Sequence, residues 1–215
     1  MAKYPIFLEL SGRTVLLIGA GKVALRKAHS LLEAGAVLTV VAKDMDESFI
    51  TLSKSHNVEL INSHYSKNYL TDAVLVIAAT SNKKLNTRIY NDCRELGIFC
   101  NTVDEPELCD FFTPAVLTRG DLKIAVGTNG KCPAYAACIK KKLERLFTAE
   151  HSQFLSELQP VRKKVLKEVA HSAQRKLILD LLVSDESFDY FKYNGPAAWR
   201  KRAEKIIHAP PTTQA

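Results

Sequence analysis

The chain has 215 residues, of which 47% are hydrophobic and 25% are charged. This composition excludes a disordered or collagen-like polymer, because it supplies enough apolar residues for a folded core. No apolar run reaches the roughly 18 to 20 residues of a membrane-spanning helix, and we expect no secretion signal at the N-terminus. The five cysteines form no CxxC pair, so we expect reduced thiols and a cytoplasmic protein. The net charge of +7 favours anionic ligands without identifying one.

The first eighty residues predict a nucleotide-binding unit. Residues 14–18 form an apolar run that is typical of a strand covered on both faces. A turn with the sequence Gly-Ala-Gly-Lys-Val-Ala follows at residues 19–24, and a helical pattern then continues until Gly35. Residues 37–42 read as a second buried strand. A strand, a glycine-rich turn, a helix and a second strand in this order predict dinucleotide binding.

The residue types in the turn fit that chemistry. Gly19 permits a tight turn, and Gly21 has no Cβ, so a pyrophosphate can approach the backbone closely. Ala24 is a small residue at the point where the helix meets the strand. The start of the helix offers free N–H groups and the positive end of the helix dipole to phosphates. The pattern alone leaves open a Rossmann-like fold that binds no ligand.

The second strand is followed by two charged residues that bear on cofactor choice. Asp44 lies 23 residues after Gly21, close to where an acidic residue would bind the ribose hydroxyls of NAD. Lys43 could tolerate the 2′-phosphate of NADP. The pattern favours NAD and leaves NADP open. It also leaves open that Asp44 is a loop carboxylate or a helix N-cap.

Further elements complete the predicted parallel sheet. Residues 58–61, 73–79 and 98–102 read as strands, and residues 83–96 read as a helix. Ligands in such sheets lie outside the carboxyl ends of the strands. We therefore expect three segments to converge on one crevice, namely residues 19–22, 80–82 (with Thr80 as a cofactor contact) and 101–104.

The pattern changes after Pro114. Residues 115–126 read as a β-hairpin, and a helix is predicted from Pro133 to about residue 147. One hairpin and one helix have too little core to stand alone, so they must pack on the first domain or on another subunit. The chain after that reads as helical, with a disordered tail over residues 209–215. The predicted organisation is an α/β fold with a Rossmann domain (1–113), a small α+β dimerisation segment (114–147) and a helical C-terminal domain (148–215).

Candidate chemistry narrows to one carboxylate. The six histidines are scattered and none has the spacing of a metal site with a cysteine, so we expect no metal site. No basic and aromatic array indicates nucleic-acid binding. Asp104 follows the strand that ends near Thr102, where a carboxylate could act as a general base beside a nicotinamide ring. The alternative is an aspartate that only forms a turn before Pro106.

Several motifs in the same order along the chain resemble the siroheme synthase dehydrogenase/ferrochelatase module. They are residues 4–10, 12–13, 19–27, 31–36, 78–80, Asn86, 99–104, 111–115 and 130–134. The resemblance implies NAD-dependent oxidation of precorrin-2 to sirohydrochlorin, often with insertion of Fe(II) to give siroheme, in a homodimer. It places the catalytic aspartate at Asp104 and nucleotide contacts at Lys22, Val23, Lys43 and Asp44. It implies substrate contacts at Asn101, Thr102, Thr128, Asn129 and Gly130, and we expect no fused methyltransferase module.

The loop at residues 127–130 departs from the usual family pattern of Ser-Ser/Thr-Gly-Gly, and Cys132 stands where the family has serine. These changes lie where the tetrapyrrole is expected, so the resemblance leaves ferrochelatase activity open. Two other functions also remain open from the residues themselves. One is an NAD-binding regulatory module, and the other is a dehydrogenase of another anionic small molecule.

Overall fold

A computed structural model describes residues 3–208, which form two compact units divided between Thr113 and Pro114. The tail at residues 209–215, for which we predicted disorder, lies outside the described residues. The hairpin and all helices that follow it belong to the second unit. In the part of the chain that the structure describes, no helix has the length and apolarity needed to cross a membrane.

The first unit is built on a five-stranded parallel sheet. Its spatial order is β3-β2-β1-β4-β5, with every neighbouring pair parallel. The strand order reverses between β1 and β4, so the carboxyl ends of these strands border the crevice that such sheets use for ligands. This confirms the predicted α/β Rossmann fold. The strands are β1 (Thr14–Ile18), β2 (Val37–Ala42), β3 (Val58–Asn62), β4 (Leu75–Ala78) and β5 (Phe99–Thr102).

Helices cover both faces of this sheet. Strand β1 alternates between the two apolar cores, because Val15 and Leu17 pack into one and Leu16 and Ile18 into the other. This is why the strand reads as one continuous apolar run. The helices are α1 (Lys22–Glu33), α2 (Glu47–Ser55) and α3 (Lys83–Leu96), with short 3₁₀ turns at Lys67–Leu70 and Pro106–Leu108.

Helix α2 was not predicted from the sequence. Its N-cap is Asp46, whose carboxylate accepts the backbone N–H of Ser48 at 2.9 Å. The hydroxyl of Ser48 also donates to this carboxylate. The hydroxyl bond, together with the backbone bond, lowers the pKa of the Asp46 carboxyl. The helix buries only Phe49 and Leu52, so its apolar pattern is too short to be distinguished from a loop.

Within residues 114–208, the second unit combines a hairpin with four helices. Strands β6 (Ala115–Arg119) and β7 (Leu122–Val126) are antiparallel, and Arg119 donates from Nε to the carbonyl of Phe147 at 2.9 Å. This bond ties the hairpin to the end of the first of these helices. The helices are α4 (Pro133–Leu146), α5 (Ala149–Glu168), α6 (Ser172–Leu182) and α7 (Asp185–His208).

An aromatic core holds the C-terminal helices together. Trp199 is fully buried, and the rings of Phe154 and Phe191 pack against it with centroids at 5.2 and 6.3 Å. The indole Nε1 of Trp199 donates to the hydroxyl of Ser187 at 2.8 Å, which satisfies a polar group inside the core. Helix α7 is kinked at Gly195, which has the non-helical dihedral angles φ 79° and ψ 170°.

Candidate functional site

The carboxyl ends of the parallel strands border a crevice of about 530 Å³ in the first unit. Residues that follow each of the five strands line this crevice. All seven predicted cofactor contacts are among them or beside them in the lining, and so is Asp104. The crevice is lined, among others, by Gly19, Gly21, Lys22, Val23, Lys43, Asp44, Ser63, His64, Tyr65, Thr80, Leu85 and Asp104. The structure therefore brings the glycine-rich turn and the candidate base into one crevice.

The two glycines of the turn have different structural surroundings. Gly19 has φ 105°, and a Cβ at this position would lie 2.5 Å from the carbonyl oxygen of Ala79. The fold itself thus requires glycine here. Gly21 is exposed, and a Cβ built on it would have no atom within 4 Å. The fold itself therefore does not require glycine at residue 21. A ligand that approaches the backbone closely would explain why a glycine is present there.

Helix α1 begins directly at this turn. Gly21 is its N-cap, so no side chain caps the helix, and the first turn contains no acidic residue. The N–H groups at the start of a helix lack partners within that helix and carry the positive end of its dipole. With the exposed Lys22 beside them, they form a site that suits phosphate groups.

Lys43 and Asp44 are both exposed at the end of β2 and line the crevice. The cap of the following helix is Asp46, so the N-cap role that the sequence left open for Asp44 falls to Asp46 instead. Both side chains lie at this edge of the crevice, and their contact with a cofactor stays a prediction.

Residues 63–65 also line the crevice, although they were not predicted as site residues. They follow β3, so the rule that ligands lie beyond strand ends would have found them. The hydroxyl of Tyr65 donates to Asp92 at 3.0 Å. Burial and this hydrogen bond raise the pKa of Tyr65 well above its usual value, so the phenol stays a neutral donor.

A buried amide links the ends of β4 and β5. Asn86 on α3 is 2% exposed, and its Oδ1 accepts the hydroxyl of Thr80 at 2.6 Å. Its Nδ2 donates to the carbonyl of Thr80 at 3.1 Å and to the carboxylate of Glu105 at 3.4 Å. Thr80 lines the crevice, and Glu105 is the neighbour of Asp104. No sequence pattern indicates this network, apart from the presence of Asn86 in a family motif.

Asp104 is exposed and has φ 62°, which lies in the left-handed region. A non-glycine residue rarely adopts this conformation, and aspartate and asparagine are among those that tolerate it best. Asp104 therefore forms a turn and also lines the crevice. The two alternatives that the sequence offered for this residue are compatible with each other.

Asn101 and Thr102 lie beside this turn but do not line the crevice. Both are buried, and Nδ2 of Asn101 donates to the carbonyl of Phe111 at 2.8 Å. The Oγ1 atom of Thr102 is buried and has no hydrogen-bond partner within residues 3–208. Contact of Asn101 and Thr102 with the substrate stays a prediction. Their burial and the bond to Phe111 favour a role in supporting the wall of the crevice.

The remaining predicted substrate contacts lie in the second unit, in the loop between β7 and α4. Asn129 and Gly130 both have positive φ angles, 52° and 78°. The loop is closed by the N–H of Lys131, which donates to the carbonyl of Thr128 at 3.0 Å, and by the N–H of Cys132, which donates to its hydroxyl at 3.3 Å. The role of Thr128, Asn129 and Gly130 in substrate binding stays a prediction.

The fold and the crevice define a protein of the Rossmann NAD(P)-binding class. A family model described as "Putative NAD(P)-binding" matches residues 6–115, and one described as "Sirohaem biosynthesis protein central" matches residues 119–146. The chain therefore belongs to this NAD(P)-binding family.

Two curated relatives and one solved structure extend this comparison. The siroheme synthase of Psychrobacter arcticus is 42% identical over 146 residues, which are 68% of this chain and 27% of the relative. Siroheme synthase 1 of Aeromonas salmonicida is 34% identical over 208 residues, or 97% of this chain and 44% of the relative. The chain thus spans less than half the length of these relatives. A solved precorrin-2 dehydrogenase matches 94% of this chain and all of its own with a TM-score of 0.75 at 21% identity, which shows a shared fold.

Proposed function

We propose that the protein oxidises precorrin-2 to sirohydrochlorin, with NAD as the hydride acceptor. The observation that carries this proposal is the position of Asp104, an exposed carboxylate in the same crevice as the glycine-rich turn. The relatives named siroheme synthase and the fold shared with a precorrin-2 dehydrogenase support this choice of substrate.

The cofactor is assigned to the strand ends of the first unit. The N–H groups around Gly21, together with Lys22 and Val23, bind the pyrophosphate, and Gly19 keeps the turn tight. Asp44 accepts hydrogen bonds from the ribose hydroxyls, which favours NAD, while Lys43 beside it is the residue through which NADP could bind. Thr80 follows β4 and contacts the cofactor from the other side of the switch point.

The reaction requires removal of a hydride and a proton from the substrate. NAD supplies the hydride acceptor when it is bound. The Asp104 carboxylate accepts the proton, because it is exposed and lines the crevice in which the cofactor binds. General bases of this kind contribute about a hundredfold to ten-thousandfold in rate.

The charge distribution suits a polycarboxylate tetrapyrrole. Residues 114–215 carry 18 Lys and Arg against 10 Asp and Glu, a net charge of +8, whereas residues 1–113 carry 12 against 13. The whole positive excess therefore belongs to the second unit. This unit also contains the loop with Thr128, Asn129 and Gly130, to which we assign contacts with the substrate. A positive surface raises the local concentration of an anionic substrate.

Fe(II) insertion into sirohydrochlorin is a second candidate activity. It must release two pyrrole protons, and the exposed carboxylate of Asp104 is a base that could accept protons in both reactions. Fe(II) is a substrate in this proposal. A match to the "Sirohaem biosynthesis protein central" model supports a place for the chain in that biosynthesis.

We also propose that the protein is a cytoplasmic homodimer. The hairpin and α4 leave large apolar side chains exposed, since Val116, Tyr135 and Leu146 are 38%, 59% and 66% accessible. A partner subunit would remove this apolar surface from water. Light scattering at micromolar concentration should give about twice the mass of one chain, and a monomer would contradict the proposal.

An anaerobic assay with precorrin-2 and NAD tests the proposed function. Sirohydrochlorin absorbance should appear together with NADH, and addition of Fe(II) then tests the second activity. If NAD binds but no substrate is oxidised, the result favours the alternative named in the sequence analysis, an NAD-binding regulatory module. If another anionic metabolite is oxidised and precorrin-2 is not, the substrate assignment is wrong.

A further inference from the structure

Asn86 has every hydrogen-bonding group of its amide directed at the two loops that flank the crevice. Its oxygen accepts from Thr80, and its nitrogen donates to Thr80 and to Glu105. An amide nitrogen has two hydrogens, so both are used. The opposite orientation of the amide would bring its oxygen against the Thr80 carbonyl and the Glu105 carboxylate. The network therefore fixes the amide in one orientation.

The location of Asn86 is unusual for a polar residue. It lies in the first turn of α3, and its helix neighbours on the buried face are Ile89 and Cys93. Burial of an amide is unfavourable unless its groups are hydrogen-bonded. An apolar residue would suit the same core position without such a requirement. The bonds to Thr80 and Glu105 are thus the evident reason for an amide here.

The two loops that Asn86 joins have different tasks in the proposed reaction. Thr80 follows β4 and is assigned to the cofactor, whereas Glu105 directly follows the candidate base Asp104. Asp104 adopts a left-handed conformation that is unfavourable for most residues, so its turn needs support from neighbouring contacts. The N–H of Glu105 donates to the carbonyl of Thr102 at 3.4 Å, and its own carbonyl accepts from the N–H of Leu108 at 3.0 Å and from Sγ of Cys109 at 3.3 Å. Its carboxylate accepts from Nδ2 of Asn86, and this bond links the turn to α3 and to Thr80.

We propose that Asn86 is a positioning residue that sets the distance and direction of the Asp104 carboxylate relative to the bound nicotinamide cofactor. The inference rests on the function proposed above. Asn86 acts through Glu105 on one side and through Thr80 on the other, and it does not itself line the crevice. A displacement of a catalytic group by about 1 Å can cost on the order of a hundredfold in rate.

Two substitutions separate the effect of Asn86 through Glu105 from its effect through Thr80. Glu105→Ala removes only the bond on the side of Asp104, so kcat should fall about 10- to 100-fold while the affinity for NADH stays within about twofold. Asn86→Ala removes all three bonds, so it should lower kcat to a similar extent and also weaken NADH binding through Thr80. Glu105→Gln keeps an oxygen acceptor for Asn86 and should restore most of kcat.

The double variant Asn86→Ala/Glu105→Ala should have nearly the kcat of Asn86→Ala alone, because both changes remove the same bond. The matched control is Asn91→Ala, which removes an exposed asparagine from the same helix and should match the parent in kcat. Thermal unfolding of each variant is measured in parallel, and kcat is measured well below every midpoint. A merely structural role would lower the midpoint and leave kcat and the NADH affinity unchanged.

The outcomes distinguish this inference from the proposed function. If the parent protein does not oxidise precorrin-2, both fail. If the parent is active and Asn86→Ala and Glu105→Ala are both within about threefold of it in kcat, only the positioning role is overturned. If Asn86→Ala does not fold, Glu105→Ala and its rescue by Glu105→Gln decide the question, because Glu105 is only half-buried.

Discussion

At the scale of single residues, Gly19 and Gly21 show that one motif can contain two kinds of constraint. Gly19 has a positive φ angle and packs against the Ala79 carbonyl, whereas Gly21 faces open space. Both positions are evident from the sequence motif. Which of them the fold needs, and which one a ligand needs, becomes evident only from the atoms around each Cα.

Gly21→Asp should fold normally and lose NAD binding. The added side chain has room in the protein, but it places bulk and negative charge where the pyrophosphate approaches. Calorimetry should detect no NADH binding, and the unfolding midpoint should be close to that of the parent. Gly19→Ala is the matched comparison, and it should lower the midpoint because its Cβ meets the backbone. Unchanged NADH affinity in Gly21→Asp would contradict the assignment of this turn.

Asp104→Asn should keep NADH binding and lose turnover. The substitution preserves size and removes the basic carboxylate, and asparagine tolerates the same left-handed backbone conformation. The initial rate of sirohydrochlorin formation should fall about a hundredfold to ten-thousandfold. If the protein also inserts Fe(II), the rate of siroheme formation should fall with it. Rates within about threefold of the parent in both assays would show that Asp104 is a turn residue only.

The sequence predicted the crevice more completely than its supporting contacts. Gly19, Gly21 and Asp104 were found because motif spacing and strand ends are properties of the chain itself. The link from Asn86 to Glu105 joins residues that are 19 positions apart, and no local pattern encodes it. The burial of Asn101 was also not foreseen, because it depends on the segment near Phe111 folding back over the end of β5.

At the scale of elements, the buried strands and long helices were predicted well, and short amphipathic pieces were not. Strands β1 and β2 read clearly because both of their faces are covered, which makes the apolar run continuous. Helix α2 was missed because it has only nine residues and two buried side chains. Helix α5 contains Pro160 within it, so a proline in the sequence did not mark the end of the helix.

Gly195→Ala should destabilise the kinked helix α7. Gly195 has φ 79° and ψ 170°, a region that is essentially restricted to glycine, and such strain costs about 1 to 3 kcal/mol. A Cβ there would meet no atom within 4 Å, so the cost comes from the backbone and not from a clash. Urea denaturation measures the loss. Gly127→Ala is the control, since Gly127 also has open space and lacks a positive φ angle, and an equal loss in both variants would refute the explanation.

At the scale of the whole molecule, charge is divided unequally along the chain. The second unit carries the entire positive excess, and the first unit, which contains the proposed cofactor site, is close to neutral. The net charge of +7, from which anionic ligands were predicted, is a property of the whole chain and does not reveal this division. The boundary between residues 113 and 114 was already predicted from the sequence, so the charge on each side of it could have been counted without the structure.

This division predicts different responses to salt for the two ligands. Raising the ionic strength from about 0.01 M to 0.15 M shortens the screening length from about 30 Å to 8 Å. The KM for precorrin-2 should therefore rise several-fold, while the affinity for NADH should change less. Steady-state rates at a series of NaCl concentrations measure the first, and calorimetry at the same concentrations measures the second. Equal salt dependence of both would show that the charge of the second unit does not serve the substrate.

The left-handed backbone at Asp104 also limits which acidic residue, aspartate or glutamate, can occupy this position. Glutamate has the same chemical group as aspartate, yet it is not among the residues enriched in the left-handed region. A change from aspartate to glutamate would lengthen the side chain and would also raise the conformational energy of the turn that carries it. Natural variation at this site should therefore be narrower than acid–base chemistry alone would allow.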